Sequence, residues 1–143
     1  MHQISKAKPN DFEEIFDLLK QLFLKNKISK KKTKEIFLNE LKTKNSTKLV
    51  LKDKKKTIGY GAIKFRNDIQ TQGKIGYLSE LIIDESRRGK GVGTKLLKEI
   101  MKEAKKMKCK EIHFPSTFKR KKAHEFYNTL GFNKTAYFFW KKL

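Results

Sequence analysis

With one cysteine, Cys109, in 143 residues, the chain has no internal disulfide framework and no multi-cysteine zinc site. Acidic residues are scarce as well: fifteen Asp and Glu stand against thirty-six Lys and Arg, a formal charge of +21. No apolar run approaches the roughly 18–20 residues that span a bilayer. The opening residues, Met1-His2-Gln3-Ile4, lack the basic-then-apolar order of a secretory leader. There is no linker rich in Pro, Gly or Ser, no internal repeat and no low-complexity tail. The expectation is a single domain over residues 1–143, in the cytoplasm, with no membrane partner. What is present supports a packed core: 37% of residues are hydrophobic and eleven are Phe, which sets the chain apart from a disordered polycation.

The basic residues are spread along the chain, in Lys30-Lys31-Lys32, 52–56, 105–110 and 119–122. Most interrupt apolar periodicity, as solvated faces do, so a Lys-rich surface accounts for most of the excess. An anionic partner, such as nucleic acid or a phosphorylated cofactor, is the alternative. His2, His113 and His124 with Cys109 do not form metal-ligand spacing, so no metal is expected. Cys109 reads as a small buried residue rather than a nucleophile.

Periodicity predicts a short strand at 3–7 and then a helix to about Leu24, capped by Asn10 with Glu13 completing a capping box. Phe12, Ile15, Phe16, Leu19, Leu22 and Phe23 form its apolar face. A second helix follows at 33–43 with Ile36, Phe37 and Leu41 inward. Strands at 48–52 and 57–65 flank a polar turn at 53–56, and a loop at 67–73 leads to a β-rich run at 74–83. Helical spacing returns at Leu96, Leu97, Ile100, Met101, Ala104 and Met107. A short strand at 111–114 precedes a helix at 119–130, ended by Gly131 in the left-handed conformation with Phe132 packing back. Residues 135–143, rich in aromatics, read as a closing strand. The order β-α-α-β-β-β-α-β-α-β is α/β, with a mixed sheet flanked by helices.

The stretch from Leu78 to Leu97, LSELIIDESRRGKGVGTKLL, carries the chemistry. A strand ends at Ile83, a polar turn holds Arg87 and Arg88, and Gly89, Gly91 and Gly93 lead into a helix. Glycines admit positive φ and close approach of a ligand. The first amides of the helix have no intrahelical acceptor and sit at the positive end of its dipole. Together they suit a pyrophosphate, with Arg88 and Lys90 adding charge at the rim. A Walker turn would need Gly-x-x-x-x-Gly-Lys-Ser/Thr, and a dinucleotide fingerprint Gly-x-Gly-x-x-Gly; neither is present.

Arg88-Gly89-Lys90-Gly91-Val92-Gly93 resembles the Gln/Arg-x-x-Gly-x-Gly/Ala signature of the GNAT superfamily of acetyl-CoA-dependent N-acetyltransferases. Ala123-His124-Glu125-Phe126-Tyr127-Asn128-Thr129-Leu130-Gly131-Phe132 resembles that family's later helix-and-strand motif. The resemblance implies a mixed, mostly antiparallel sheet flanked by helices, and transfer of acetyl from acetyl-CoA to a primary amine. It implies that backbone groups of Leu81, Ile82 and Ile83 pair with the pantetheine arm. The amides of Arg88, Gly89, Lys90, Gly91, Val92, Gly93 and Thr94 would hold the pyrophosphate. Many members carry Asn three residues ahead of the Ala; this chain has Arg120, which could reach phosphate instead.

Direct transfer needs a neutral amine and a proton for the leaving thiolate. The resemblance makes Tyr127 the candidate acid, because its helix faces the cofactor arm in that family. Glu80 is the candidate base, directly or through water, or a ligand for a cationic substrate. Leu78 and Ile82 are expected on its strand face, an apolar setting that would make the carboxylate a better proton acceptor near neutrality. The expected acceptor is a small-molecule amine, anionic or zwitterionic given the charge of +21. A homodimer is compatible with this reading. Rival readings are a protein N-terminal or lysine acetyltransferase, a CoA-sensing domain without turnover, and a basic nucleic-acid-binding module. The last is disfavoured because most aromatics fall at core periodicity.

Overall fold

The computed structural model of the chain describes residues 2–24, 27–116 and 121–143. Two compact units account for it, Met1–His113 and Phe114–Leu143.

In the first unit, five strands among the described residues form one sheet in sequence order: β1 (His2–Lys6), β2 (Ser46–Asp53), β3 (Lys56–Asp68), β4 (Gly73–Ile83) and β5 (Glu111–His113). β1 to β4 pair antiparallel, and β5 joins β4 in parallel. This is the mostly antiparallel mixed sheet that was expected. Helices α1 (Phe12–Leu22) and α2 (Lys30–Leu41) cover one face, where Phe12, Ile15, Phe16, Leu19 and Phe37 pack with Val50, Tyr60, Ala62 and Ile82. Helix α3 (Val92–Lys106) covers the other with Leu96, Leu97 and Ile100. Gly61 makes that second packing close, since a Cβ there would collide with Ile100 Cδ1.

Several local expectations change. The capping box of Asn10 and Glu13 does not form; α1 starts after a 3-10 turn at Pro9–Asp11. Asp11 is the acidic anchor instead. Its carboxylate is buried, accepts the Lys8 amide at 2.7 Å and pairs with Lys52 Nζ at 2.6 Å. A buried carboxylate with two partners fixes the turn more firmly than a solvated cap could. Ile36 is 56% exposed, because the inward face of α2 is set by Phe37 and Leu41. The turn between β2 and β3 is built by Lys54 and Lys55, both at positive φ (48° and 72°). A two-residue hairpin turn requires that conformation, and Asn-Gly usually supplies it.

The second unit holds α4 (Lys121–Thr129) and an aromatic cluster. Phe114 meets Tyr127 and Phe132 edge-on at 4.6 and 5.3 Å between ring centroids. Gly131 has φ 86°, and the amides of Gly131 and Phe132 donate to the carbonyls of Asn128 and Tyr127, both at 3.1 Å. This is the left-handed helix stop that was expected. The closing strand at 135–143 is absent: residues 133–143 have no regular structure, and Tyr137, Phe138, Phe139 and Trp140 are 66–89% exposed. Aromatic β-propensity reflects fit to a half-buried pleated surface, and no strand among the described residues pairs with this segment to supply one. No helix among the described residues is long and apolar enough to cross a membrane.

Lys55 sits where glycine carries no steric penalty. Lys55→Gly is expected to stabilise the protein by about 0.5–1 kcal/mol, the surplus of the left-handed penalty over glycine's entropy. Thermal unfolding should show a higher midpoint; a lower one would contradict the turn.

Candidate active site

The site begins where β4 outlasts its neighbour. β5 pairs only with Ile75, Gly76 and Tyr77, whereas β4 continues to Ile83. Along residues 78–83 the edge of β4 away from β3 therefore has no strand partner among the described residues.

The polypeptide then turns within a tightly pinned loop. The Asp84 amide donates to the Ile58 carbonyl at 2.8 Å, and Asp84 Oδ1 accepts the amide and hydroxyl of Ser86 at 3.1 and 3.0 Å. Those bonds hold the Asp84 carboxyl below its usual range, the backbone amide contributing most. Gln21 of α1 accepts the Glu85 amide at 3.1 Å. Arg87 pairs with Asp53 at the β2–β3 turn, so its charge braces the loop. Arg88 Nε donates to the Ile83 carbonyl at 3.0 Å and leaves the rest of the guanidinium for a ligand.

Beyond Arg88, Gly89 (φ 84°) and Gly91 (φ 74°) carry the backbone through the left-handed region into α3. Neither position has an atom within 4 Å of where a Cβ would lie, so conformation rather than crowding calls for glycine. Gly91 is the N-cap and provides no side-chain acceptor, and no acidic residue lies in the first turn. The leading amides of α3 are thus uncapped, next to the exposed residues Arg88 and Lys90. This donor set fits a pyrophosphate.

Glu80 lies on the α1–α2 face of the sheet, but its surroundings differ from those expected. The β3–β4 register slips between Ala62 and Ile63: Ala62 pairs with Glu80 and Ile63 with Leu78. Ser79 is the extra residue of a β-bulge, and its hydroxyl donates to the Ala62 carbonyl at 3.3 Å. Because Ala62 and Ile63 point to opposite faces, Leu78 falls on the α3 face and does not share Glu80's side. Ile82 does share it, together with a polar group. Glu40, near the end of α2, accepts Lys48 Nζ at 2.8 Å on one oxygen and Lys64 Nζ at 2.9 Å on the other. Burial pushes the Glu40 carboxyl up, yet the hydrogen bonds and charges of both lysines outweigh it and hold it below the usual range. Its hydrogen bond keeps Lys64 firmly protonated. Tyr60 is only 1% exposed; burial and then the charges of Glu80 and Glu40 lift its phenol well above the ordinary range.

Tyr127 belongs to the second unit, partly buried in the Phe114, Phe126 and Phe132 cluster. His124 bonds Ser116 at 3.1 Å and His113 bonds Glu111 at 2.7 Å, both local contacts. Cys109 is half-buried, and burial raises its thiol above the ordinary value, which suits a packing role. Arg120 lies outside the described residues. Sequence reasoning missed Gln21, Glu40, Lys48, Asp53, Tyr60 and Lys64. Tyr60 sits in an apolar run, and the others are indistinguishable from surface polar residues until the sheet register is known.

The sequence model of the acetyltransferase (GNAT) family matches residues 12–132. The chain belongs to the GNAT acetyltransferase family. No curated protein matches it. Among solved structures, an aminoglycoside N-acetyltransferase in complex with CoA superposes with a TM-score of 0.89 at 16% identity, covering 100% of this chain and 95% of that one. Glucosamine-6-phosphate N-acetyltransferase from Arabidopsis thaliana gives 0.84 at 20% identity, with 99% and 98% covered. A protein from Clostridium acetobutylicum described as a predicted acetyltransferase, solved with acetyl-CoA, gives 0.83 at 22% identity, with 100% and 96% covered. These likenesses concern the fold. GNAT acetyltransferases use acetyl-CoA as co-substrate, which agrees with the pyrophosphate-compatible turn.

Gly91→Ala forces an L side chain into the left-handed region at the mouth of α3. CoA affinity, read by titration calorimetry, is expected to fall about tenfold. Unchanged affinity would contradict the turn as the pyrophosphate site.

Proposed function

We propose that this GNAT protein transfers acetyl from acetyl-CoA to a primary amine of a small molecule, by direct attack of the amine on the thioester. The observation that carries this reading is the uncapped, left-handed turn opening α3, directly downstream of the unpaired edge of β4. Backbone groups of Leu81, Ile82 and Ile83 would pair with the pantetheine arm. The amides of Arg88 to Thr94 would take the pyrophosphate, with the free end of Arg88 alongside.

In the reaction the amine nitrogen bonds the carbonyl carbon and the C–S bond breaks. Glu80 takes the proton from the amine, directly or through one water, and the thiolate collects a proton from Tyr127. The bulge at Ser79 supports Glu80 in that role, because it turns the carboxylate onto a face with polar neighbours. Support for Tyr127 comes from the resemblance of the Ala123-to-Phe132 block. The family match runs across both compact units, which favours one acyltransferase domain over residues 1–143. A lone, half-buried free thiol suits the reducing cytoplasm.

Two structural neighbours are named for aminoglycoside and glucosamine-6-phosphate acetylation, which favours a small amine over a protein acceptor. The nucleic-acid alternative has one feature to draw on, the exposed aromatics at 137–140 between Lys134 and Lys141. It gives no reason for an uncapped α3 behind two left-handed glycines.

A panel of amino sugars, aminoglycosides, polyamines, amino acids and peptides with acetyl-CoA should yield thiol release with at least one small amine. CoA binding without turnover on any of them would sink the enzyme reading. Tyr127→Phe should lower kcat by about 10²-fold, the usual worth of a general acid. CoA affinity should be retained; full activity would remove Tyr127 as the acid.

A further inference from the structure

Between the end of α2 and the strands β1 and β2 lies a cavity of about 160 Å³, lined by Lys6, Glu40, Thr43, Ser46 and Lys48 among others. Two of these residues bring buried polar groups that lack the partners burial calls for. Ser46 Oγ is shut off from solvent and has no hydrogen-bond partner among the described residues. Lys48 has a side chain only 2% exposed, and its ammonium carries three donors. One goes to Glu40 Oε1 at 2.8 Å, and no second acceptor for it stands among the described residues. Ser46 and Lys48 are two residues apart on β2, so both project from the same face of the sheet. We infer that this cavity is an anion subsite, in which the Ser46 hydroxyl and the Lys48 ammonium hold the oxygens of a carboxylate or phosphate group.

Charge and room agree with that ligand. Glu40 gives one oxygen to Lys48 and the other to Lys64 Nζ at 2.9 Å, so two ammonium charges meet one carboxylate. One positive charge is left over, and Lys6 adds another at the rim. Because Lys48 is buried, salt screens its attraction for an anion far less than it would at an open surface. A single bridging water needs roughly 10–15 Å³, so the cavity admits a group of several atoms. Lys6 and Thr43 are exposed, which gives such a group a way in from solvent.

A purely structural cluster would not take this form. Burying an ammonium to tie α2 to β2 gains little over a well-packed apolar contact. A buried hydroxyl without a partner lowers stability, and alanine at position 46 would avoid the penalty. Two sources share the ligand chemistry: a free anion, and an acid group carried by the acceptor amine itself. The second rests on the function proposed above. Lys48 pairs with Ala62 of β3, and Ala62 with Glu80 of β4, so all three lie on one face of the sheet. Two strand spacings, about 10 Å, separate β2 from β4. An acceptor that reaches both is an elongated amine with its acid group at the far end.

The full chain is titrated with inorganic phosphate at constant ionic strength, held with sodium chloride, while backbone amide signals are followed. Saturable shifts are expected at Glu40, Ser46 and Lys48. Ser46→Ala should weaken phosphate about tenfold, the worth of one hydrogen bond to a charged group. Its thermal midpoint should match or exceed wild type, so it reads the site even where Lys48→Met does not fold. Lys48→Met should abolish saturation. Unmoved signals at these three residues, or wild-type phosphate affinity in Ser46→Ala, would overturn the subsite. Acetyl transfer to amines paired with and without a carboxylate or phosphate then separates the two sources. A preference for the acidic member that Ser46→Ala lowers about tenfold assigns the site to the acceptor. Equal rates for each pair, beside saturable phosphate binding, assign it to a free anion. Absence of turnover would sink the enzyme reading and leave the phosphate titration as the test of the subsite.

Discussion

At the start of α3 the leading amides have neither an intrahelical acceptor nor a side-chain cap, and Gly91 holds the backbone at a φ of 74° so that they stay open. Most helices satisfy these donors with Ser, Thr, Asp or Asn. Leaving them bare sacrifices stability unless a ligand supplies the acceptors. The rest of the first unit is organised around holding this turn still. Gln21, Asp53, Ile58 and Ile83, from α1 and three strands, each bond the loop between β4 and α3. Leu96, Leu97 and Ile100 root the helix in the sheet, and Gly61 lets it approach.

A second constraint divides the labour of β4. One extra residue, Ser79, reverses the side-chain alternation midway along the strand. Downstream of it, the edge of β4 away from β3 has no strand partner among the described residues. The same bulge leaves Glu80 on the α1–α2 side of the sheet, the side that carries Tyr60 and the Glu40, Lys48 and Lys64 cluster. A single local irregularity therefore joins a phosphate-compatible turn to a polar cluster on one strand.

The legible parts of the sequence were those in which local chemistry decides the outcome. Gly89 and Gly91 before an amphipathic run specify the turn, and Gly131 followed by Phe132 specifies the stop of α4, because positive φ is written in residue type. The environment of Glu80 was illegible. Strict alternation puts Leu78 beside it, and only the pairing with β3 reveals the bulge. Asp11 was passed over for Asn10 because its partner, Lys52, is distant in sequence. Lys54 and Lys55 occupy a turn normally marked by Asn-Gly, so the hairpin showed only as a polar gap. At residues 135–143 aromatic content imitated a strand, but no strand among the described residues pairs with that segment.

Whether the open amides of the β4–α3 turn receive a ligand decides the proposed function. Backbone amide spectra recorded during titration with CoA test it most directly. Saturable shifts and slowed hydrogen exchange are expected to concentrate at Gly89, Lys90, Gly91, Val92, Gly93 and Thr94, with smaller changes along Leu81, Ile82 and Ile83. Saturation with those amides unmoved, and the shifts elsewhere, would contradict it.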